Sequence, residues 1–223
     1  YVFGYAVILF LVGVQNALVS TPMSVLAPSR GATEQGRFCA ALAIGQFLIF
    51  VPIAVAIALV GLMLQIYGTH NGANLAYAVA LAVLGIILRE FFRSYFFLRL
   101  RPLAVLWLDV AFVTFLFAGL WAAVVMNIPS INLAALVVMG FVSALVGSLA
   151  AYLSRKELPV RLADIAPALK ESWQHGKWAL GGVSVTWLQD QSYIYLLTSF
   201  ASAAETAEVS AARLFLAPLA LLN

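Results

Sequence analysis

The chain has 223 residues, of which 64% are hydrophobic and 9% charged, and its net charge is +3. Soluble domains carry about 25% charged residues, so this composition, with a mean hydropathy of +1.03, excludes an ordinary soluble domain and indicates an integral membrane protein. Cys39 is the only cysteine, which excludes an intrachain disulfide, and the apolar runs are long enough for membrane helices rather than barrel strands.

In chain order, the apolar runs predict an all-α integral membrane protein with seven membrane spans, at about 2–27, 38–66, 75–98, 103–126, 131–153, 177–200 and from 209 onward. Each complete span is near or above the ~20 residues that cross a bilayer. The chain starts at Tyr1 inside one apolar run and stops at Asn223 inside another, so we expect a fragment of a longer protein. The expected organisation is a first bundle over 1–153 that lacks its first helix, a linker over 154–175, and the start of a second bundle over 176–223.

Lys and Arg fall in the first, third and fifth connections or beside them, and Arg213 alone departs from that alternation. The positive-inside rule therefore places loops 28–37, 99–102 and 154–176 on the cytoplasmic side.

The first span carries Gln15 and Asn16 at mid-membrane, as interhelical hydrogen-bonding groups or as a cavity wall. Pro22 is expected to kink its inner part. The third span ends in Arg89, Glu90, Arg93, Arg99 and Arg101 among aromatic residues. These read as snorkelling cations in an aromatic belt, or as a basic vestibule (Arg89, Arg93, Arg101) that attracts phosphate groups. Asp109 lies as far past the following turn as Arg93 lies before it, which predicts an ion pair with Arg93 or Arg89. In the fifth span Ser143, Gly147 and Ala151 form a small-residue row suited to close helix packing. Leu158, Leu162, Ile165, Leu169 and Trp173 share one helical face and predict an amphipathic helix lying in the cytoplasmic interface. The same residues also fit a cytoplasmic extension of the sixth span.

Gln189, Asp190 and Gln191 lie near the middle of the sixth span, and Arg213 lies in the seventh. An ionised side chain at membrane depth costs about 2.5–3.5 kcal/mol on insertion scales, so such residues face a bundle interior or a watery cavity. Asp190 and Arg213 are read as substrate contacts or as a pair offsetting each other's burial. His70 and His175 are expected on opposite sides of the membrane, and neither metal-ligand spacing nor a phosphate-binding glycine loop is present. No enzyme activity, cofactor, metal or nucleic-acid partner is expected.

Ala6, Leu9, Phe10 and Leu11 align with Ala211, Leu214, Phe215 and Leu216, and both segments run inward from outside. This predicts a parallel repeat in which the sixth span opens a second half-molecule. The segments FGYAVILFLVGVQNALVSTPMSVLAP, REFFRSYFFLRLRP and HGKWALGGVSVTWLQDQSYIYLLTSF, continuing into AETAEVSAARLFLAPLALL, resemble the O-antigen and lipid-linked oligosaccharide flippases of the multidrug/oligosaccharidyl-lipid/polysaccharide superfamily. The resemblance covers essentially the whole chain. It implies a two-bundle transporter of the bacterial cytoplasmic membrane, working by alternating access in polysaccharide biosynthesis. The implied cargo is an isoprenoid diphosphate glycan, held by Arg213, Asp190, Gln189, Gln191, Gln15 and Asn16. Membrane lipids, a glycan polymerase and other assembly proteins are the implied partners. A cation-coupled multidrug antiporter of the same fold, with Asp190 as the coupling carboxylate, is the alternative.

Overall fold

A computed structural model describes the backbone of residues 2–128 and 130–200, and the side chains of residues 3–128 and 130–189. Helix α1 (Val2–Gln15) passes through a π-helical turn (Asn16–Ser20) into α2 (Thr21–Leu26). Then follow α3 (Ala32–Ile66), α4 (His70–Leu98), α5 (Pro102–Val125), α6 (Ile131–Ser154), a 3-10 turn (Leu162–Asp164) and α7 (Ile165–Phe200). The described residues contain no strand. Five segments are long and apolar enough to cross a membrane: Phe3–Leu26, Ala32–Ile66, His70–Leu98, Pro102–Val125 and Ile131–Ser154. The chain is an all-α, multi-pass membrane protein.

Helices α4 and α6 form the closest pair because glycine lines their contact. A Cβ at Gly85 or Gly140 would run into the backbone of the opposite helix, and one at Gly147 would lie 3.0 Å from the Arg89 amide nitrogen. Apolar side chains gain nothing by leaving lipid for each other, so close backbone approach and dispersion hold such helices together. The small-residue row sits slightly off the expected one: Gly140, Ser143, Gly147 and Ala150 are buried, and Ala151 is half-buried. Around this seam, Phe38, Leu42 and Phe50 of α3 join Val83, Ile87, Phe91 and Tyr95 of α4 in one core. Helix α5 stays peripheral and exposes Trp107, Phe117 and Trp121.

Three helices end in the same way. Gly68, Leu100 and Asn127 take positive φ, and the next amides, of Thr69, Arg101 and Ile128, bond back to Leu64, Phe96 and Ala123. These are Schellman caps, which satisfy the last carbonyls and turn the chain back. Helices α3 and α4 also begin six and five residues before their expected apolar runs.

The connector after α6 differs from the expected surface helix. It is extended or turned until Leu162, and α7 then runs unbroken from Ile165 to Phe200, as an extension of the sixth span. Leu158 precedes the helix and cannot share its face. Among the described side chains of α7 the buried positions are Ile165, Ala168, Ser172 and Gly176, whereas Leu162 and Trp173 are exposed. In this rotation Glu171 reaches Arg30, and Asp164, just before the helix, reaches Arg37.

Candidate functional site

The structure brings α1, α2 and α7 together around the π-helical turn. Pro22 has no N–H to give to the Leu18 carbonyl four residues back, and the turn widens so that the Thr21 amide bonds Asn16 instead. The Ser172 hydroxyl of α7 donates to that Leu18 carbonyl. Four residues on, Gly176 packs against the same turn, where a Cβ would meet the Ala17 carbonyl oxygen at 2.5 Å. Further along, Trp187 Nε1 donates to the Ala6 carbonyl at 3.1 Å, and its ring lies 4.8 Å from that of Phe10. The first and sixth expected spans are thus direct neighbours over much of their length.

Gln15 and Asn16 point apart, as neighbours on a helix must at about 100° per residue. Gln15 is fully buried. Its Nε2 donates to Gln46 Oε1 at 2.9 Å and to the Ile87 carbonyl at 2.8 Å, so it ties α1 to α3 and α4. This is the packing role of the two considered, and it turns Gln15 away from any surface outside the bundle. Asn16 is exposed, and so are Thr21 and Ser24 on the following turns. Together they form a polar row on an otherwise apolar span. Gln189 is also exposed. The side chains of Asp190 and Gln191, and Arg213 as a whole, lie outside the described residues.

At the basic end the arginines of the bundle are engaged. Arg93 Nε binds Asp109 at 3.2 Å, Arg89 lies 3.5 Å from Asp109 and 3.1 Å from Glu90, and Arg93 lies 3.7 Å from Glu90. Both expected Asp109 pairs form. Two guanidinium groups face two carboxylates, so this cluster is neutral. Arg101 binds Glu157 at 2.7 Å, and Tyr95 donates to the other oxygen of that carboxylate at 3.0 Å. Arg99 bonds Gln35 at 3.0 Å. Burial alone would raise the Glu157 carboxyl, but the Arg101 and Tyr95 hydrogen bonds and the nearby arginine charges outweigh it and hold the group below the usual glutamate value.

Two further pairs hold the start of α7 and the 3-10 turn before it to α3 and the loop that leads into it. Arg37 binds Asp164 in a two-pronged contact at 2.8 Å, and Arg30 binds Glu171 at 2.6 Å. They flank a cavity of about 270 Å³ whose lining includes Phe38, Pro167 and Ala168. A larger cavity of about 530 Å³ lies where α4 and α6 begin, lined partly by Asn71, Ser130 and Asn132. Among the described residues no three His, Cys, Asp or Glu side chains could hold a metal ion.

Sequence reasoning missed Gln46, Ser172 and the Thr21–Ser24 continuation of the Asn16 row. The signal for Gln46 was present: it is an amide inside the apolar run of the second span, as costly to bury as Gln15. Ser172 carried no such signal, because its partner is a carbonyl freed by a proline 150 residues earlier. No family model, curated protein or solved structure matches the chain.

Proposed function

We propose that the chain belongs to an alternating-access transporter that moves an isoprenoid diphosphate glycan across the cytoplasmic membrane. The observation that carries this reading is the exposed polar row Asn16, Thr21 and Ser24 on a membrane span that packs against α7. Polar groups turned to hydrocarbon are costly, so the row suits a polar path, and amides and hydroxyls suit sugar hydroxyl groups. Helix α7 carries Gln189, Asp190 and Gln191 about 20 Å further along its axis from the Gly176 contact. In the proposed path Arg213 holds the diphosphate through charge-assisted hydrogen bonds, and the lipid tail stays in the bilayer. Loops 28–37, 99–102 and 154–176 face the cytoplasm, and Asn16 is retained in the glycan path. Gln15 serves the bundle.

One observation favours a second reading, a cation-coupled antiporter. Arg89, Arg93 and Arg101 are all neutralised by carboxylates, so the basic end offers no surplus of cations at these residues for a diphosphate. A coupling role for Asp190 needs no such surplus.

Expression in a strain lacking its own flippase separates the two readings. The flippase reading expects surface glycan to return. Arg213→Ala and the double variant Asn16→Leu/Thr21→Val should each stall it, with lipid-linked precursor accumulating inside and membrane levels unchanged. If surface glycan stays absent while cellular drug content falls in an Asp190-dependent way, the antiporter reading replaces it.

A further inference from the structure

The connector between α6 and α7 and the first turns of α7 sort their charges by face. The three acidic residues point inward: Glu157 to Arg101, Asp164 to Arg37 and Glu171 to Arg30. The five basic residues of the same stretch, Arg155, Lys156, Arg161, Lys170 and Lys177, are all exposed. None of the five has a carboxylate within ion-pair distance among the described residues, whereas Arg30, Arg37, Arg89, Arg93 and Arg101 of the bundle each have one.

Apolar side chains are interleaved with these cations. Leu162 is 77% exposed, Trp173 52% and Trp178 80%. Arg155 lies over the Tyr152 ring at 3.9 Å, and Lys177 lies near the Trp178 ring at 5.6 Å. Bulk water suits the cations and not the indoles, and the hydrocarbon interior suits the reverse. An interface rich in anionic headgroups suits both.

The geometry points to this stretch as a docking surface for the phosphate headgroups of anionic phospholipids in the leaflet at the basic end of the molecule. Charge complementarity selects that occupant. The inward acids cancel bundle arginines, so the outward face keeps five unopposed positive charges beside rings that anchor at headgroup level. A cation held near an anionic surface contributes about 1 kcal/mol, which is about five-fold in association. The inference does not depend on what the protein transports.

The test uses the whole chain reconstituted in phosphatidylcholine bilayers. Spin-labelled phosphatidylglycerol or spin-labelled phosphatidylcholine reports the fraction of lipid slowed at the protein surface. The expected result at low salt is a several-fold preference for phosphatidylglycerol that falls toward one at about 0.5 M salt, where screening is short-ranged. The variant Lys156→Gln/Arg161→Gln/Lys170→Gln/Lys177→Gln should lose most of the preference, and Lys156→Arg/Lys170→Arg/Lys177→Arg should keep it. Inorganic phosphate at matched ionic strength should compete no better than chloride, which separates a lipid headgroup from a free anion. If the glutamine variant fails to fold, the salt dependence of the unaltered chain still decides. Equal association of the two lipids, a preference indifferent to salt or to the glutamine changes, or displacement by millimolar phosphate would each overturn the inference.

Discussion

Gly176→Ala tests whether α7 is seated on the π-helical turn. The new Cβ would fall 2.5 Å from the Ala17 carbonyl oxygen and 3.1 Å from the Leu18 Cα. Both are backbone atoms that cannot rotate away, and the shorter approach is about 0.9 Å inside the 3.4 Å where ordinary contact begins. Overpacking of this kind costs about 1–3 kcal/mol. Separating the helices also strains the Ser172 bond to Leu18, and an unpaired buried carbonyl adds about 1–3 kcal/mol. Against this, alanine in place of glycine within a helix gains roughly 0.5–1 kcal/mol. Gly181 and Gly182, on the same helix, have nothing within 4 Å of a built Cβ, so alanine there should show the gain alone. The expected order of thermal stability in detergent is Gly181→Ala and Gly182→Ala above wild type, and Gly176→Ala below it, with about 2–6 kcal/mol between the extremes. Gly176→Ala at or above Gly181→Ala would refute the seating of α7 on this turn.

Leu100→Gly should stabilise the protein by about 1 kcal/mol, because leucine is disfavoured at positive φ and this one is 88% exposed with little packing to lose; thermal unfolding reads the shift. Gln15→Leu and Gln46→Leu should each destabilise by about 1–3 kcal/mol through the partner left behind. The double variant should cost less than the two added; a double-mutant cycle on unfolding midpoints measures this. For Glu157 the folded carboxyl lies below its ordinary value, so its stabilising contribution is full above the unfolded value of about 4.3 and is lost as pH falls through the folded one. The stability gap between wild type and Glu157→Gln should therefore close in acid, and a gap that widens there would contradict the Arg101 contact.

Helix existence was legible because long apolar runs leave the backbone one way to satisfy its polar groups in lipid. The boundaries at 98, 102 and 131 were close, since charge or proline marks them. The starts at Ala32 and His70 were not, because polar first turns look like loop until a partner holds them. The Arg93–Asp109 pair could be read from antiparallel counting. The opposite fates of Gln15 and Asn16 could not, because adjacent polar residues on an apolar helix carry no label for which face is inside. The face of α7 was misjudged for a related reason. Leucine and tryptophan spacing suggested one side, and in the observed rotation Glu171 and, just before the helix, Asp164 reach distant arginines instead. Of the candidate site, Asp190, Gln191 and Arg213 have no described side chains, so the sequence argument for them stands alone.

An unbroken α7 touching the backbone of the π-helical turn at Gly176 has the mechanics of a lever. Glu171, bound to Arg30, sits five residues from that contact, about 7.5 Å along the axis, and Gln189 sits thirteen residues beyond it, about 20 Å away. A rigid rod pivoting there multiplies motion by the ratio of its arms. With the Trp187 bond to Ala6 released, shifting Glu171 sideways by about 1 Å would swing the Gln189 level by roughly 2.6 Å in the opposite direction. Making or breaking one ion pair at the basic end would therefore be felt in the membrane as a displacement close to the width of a water molecule.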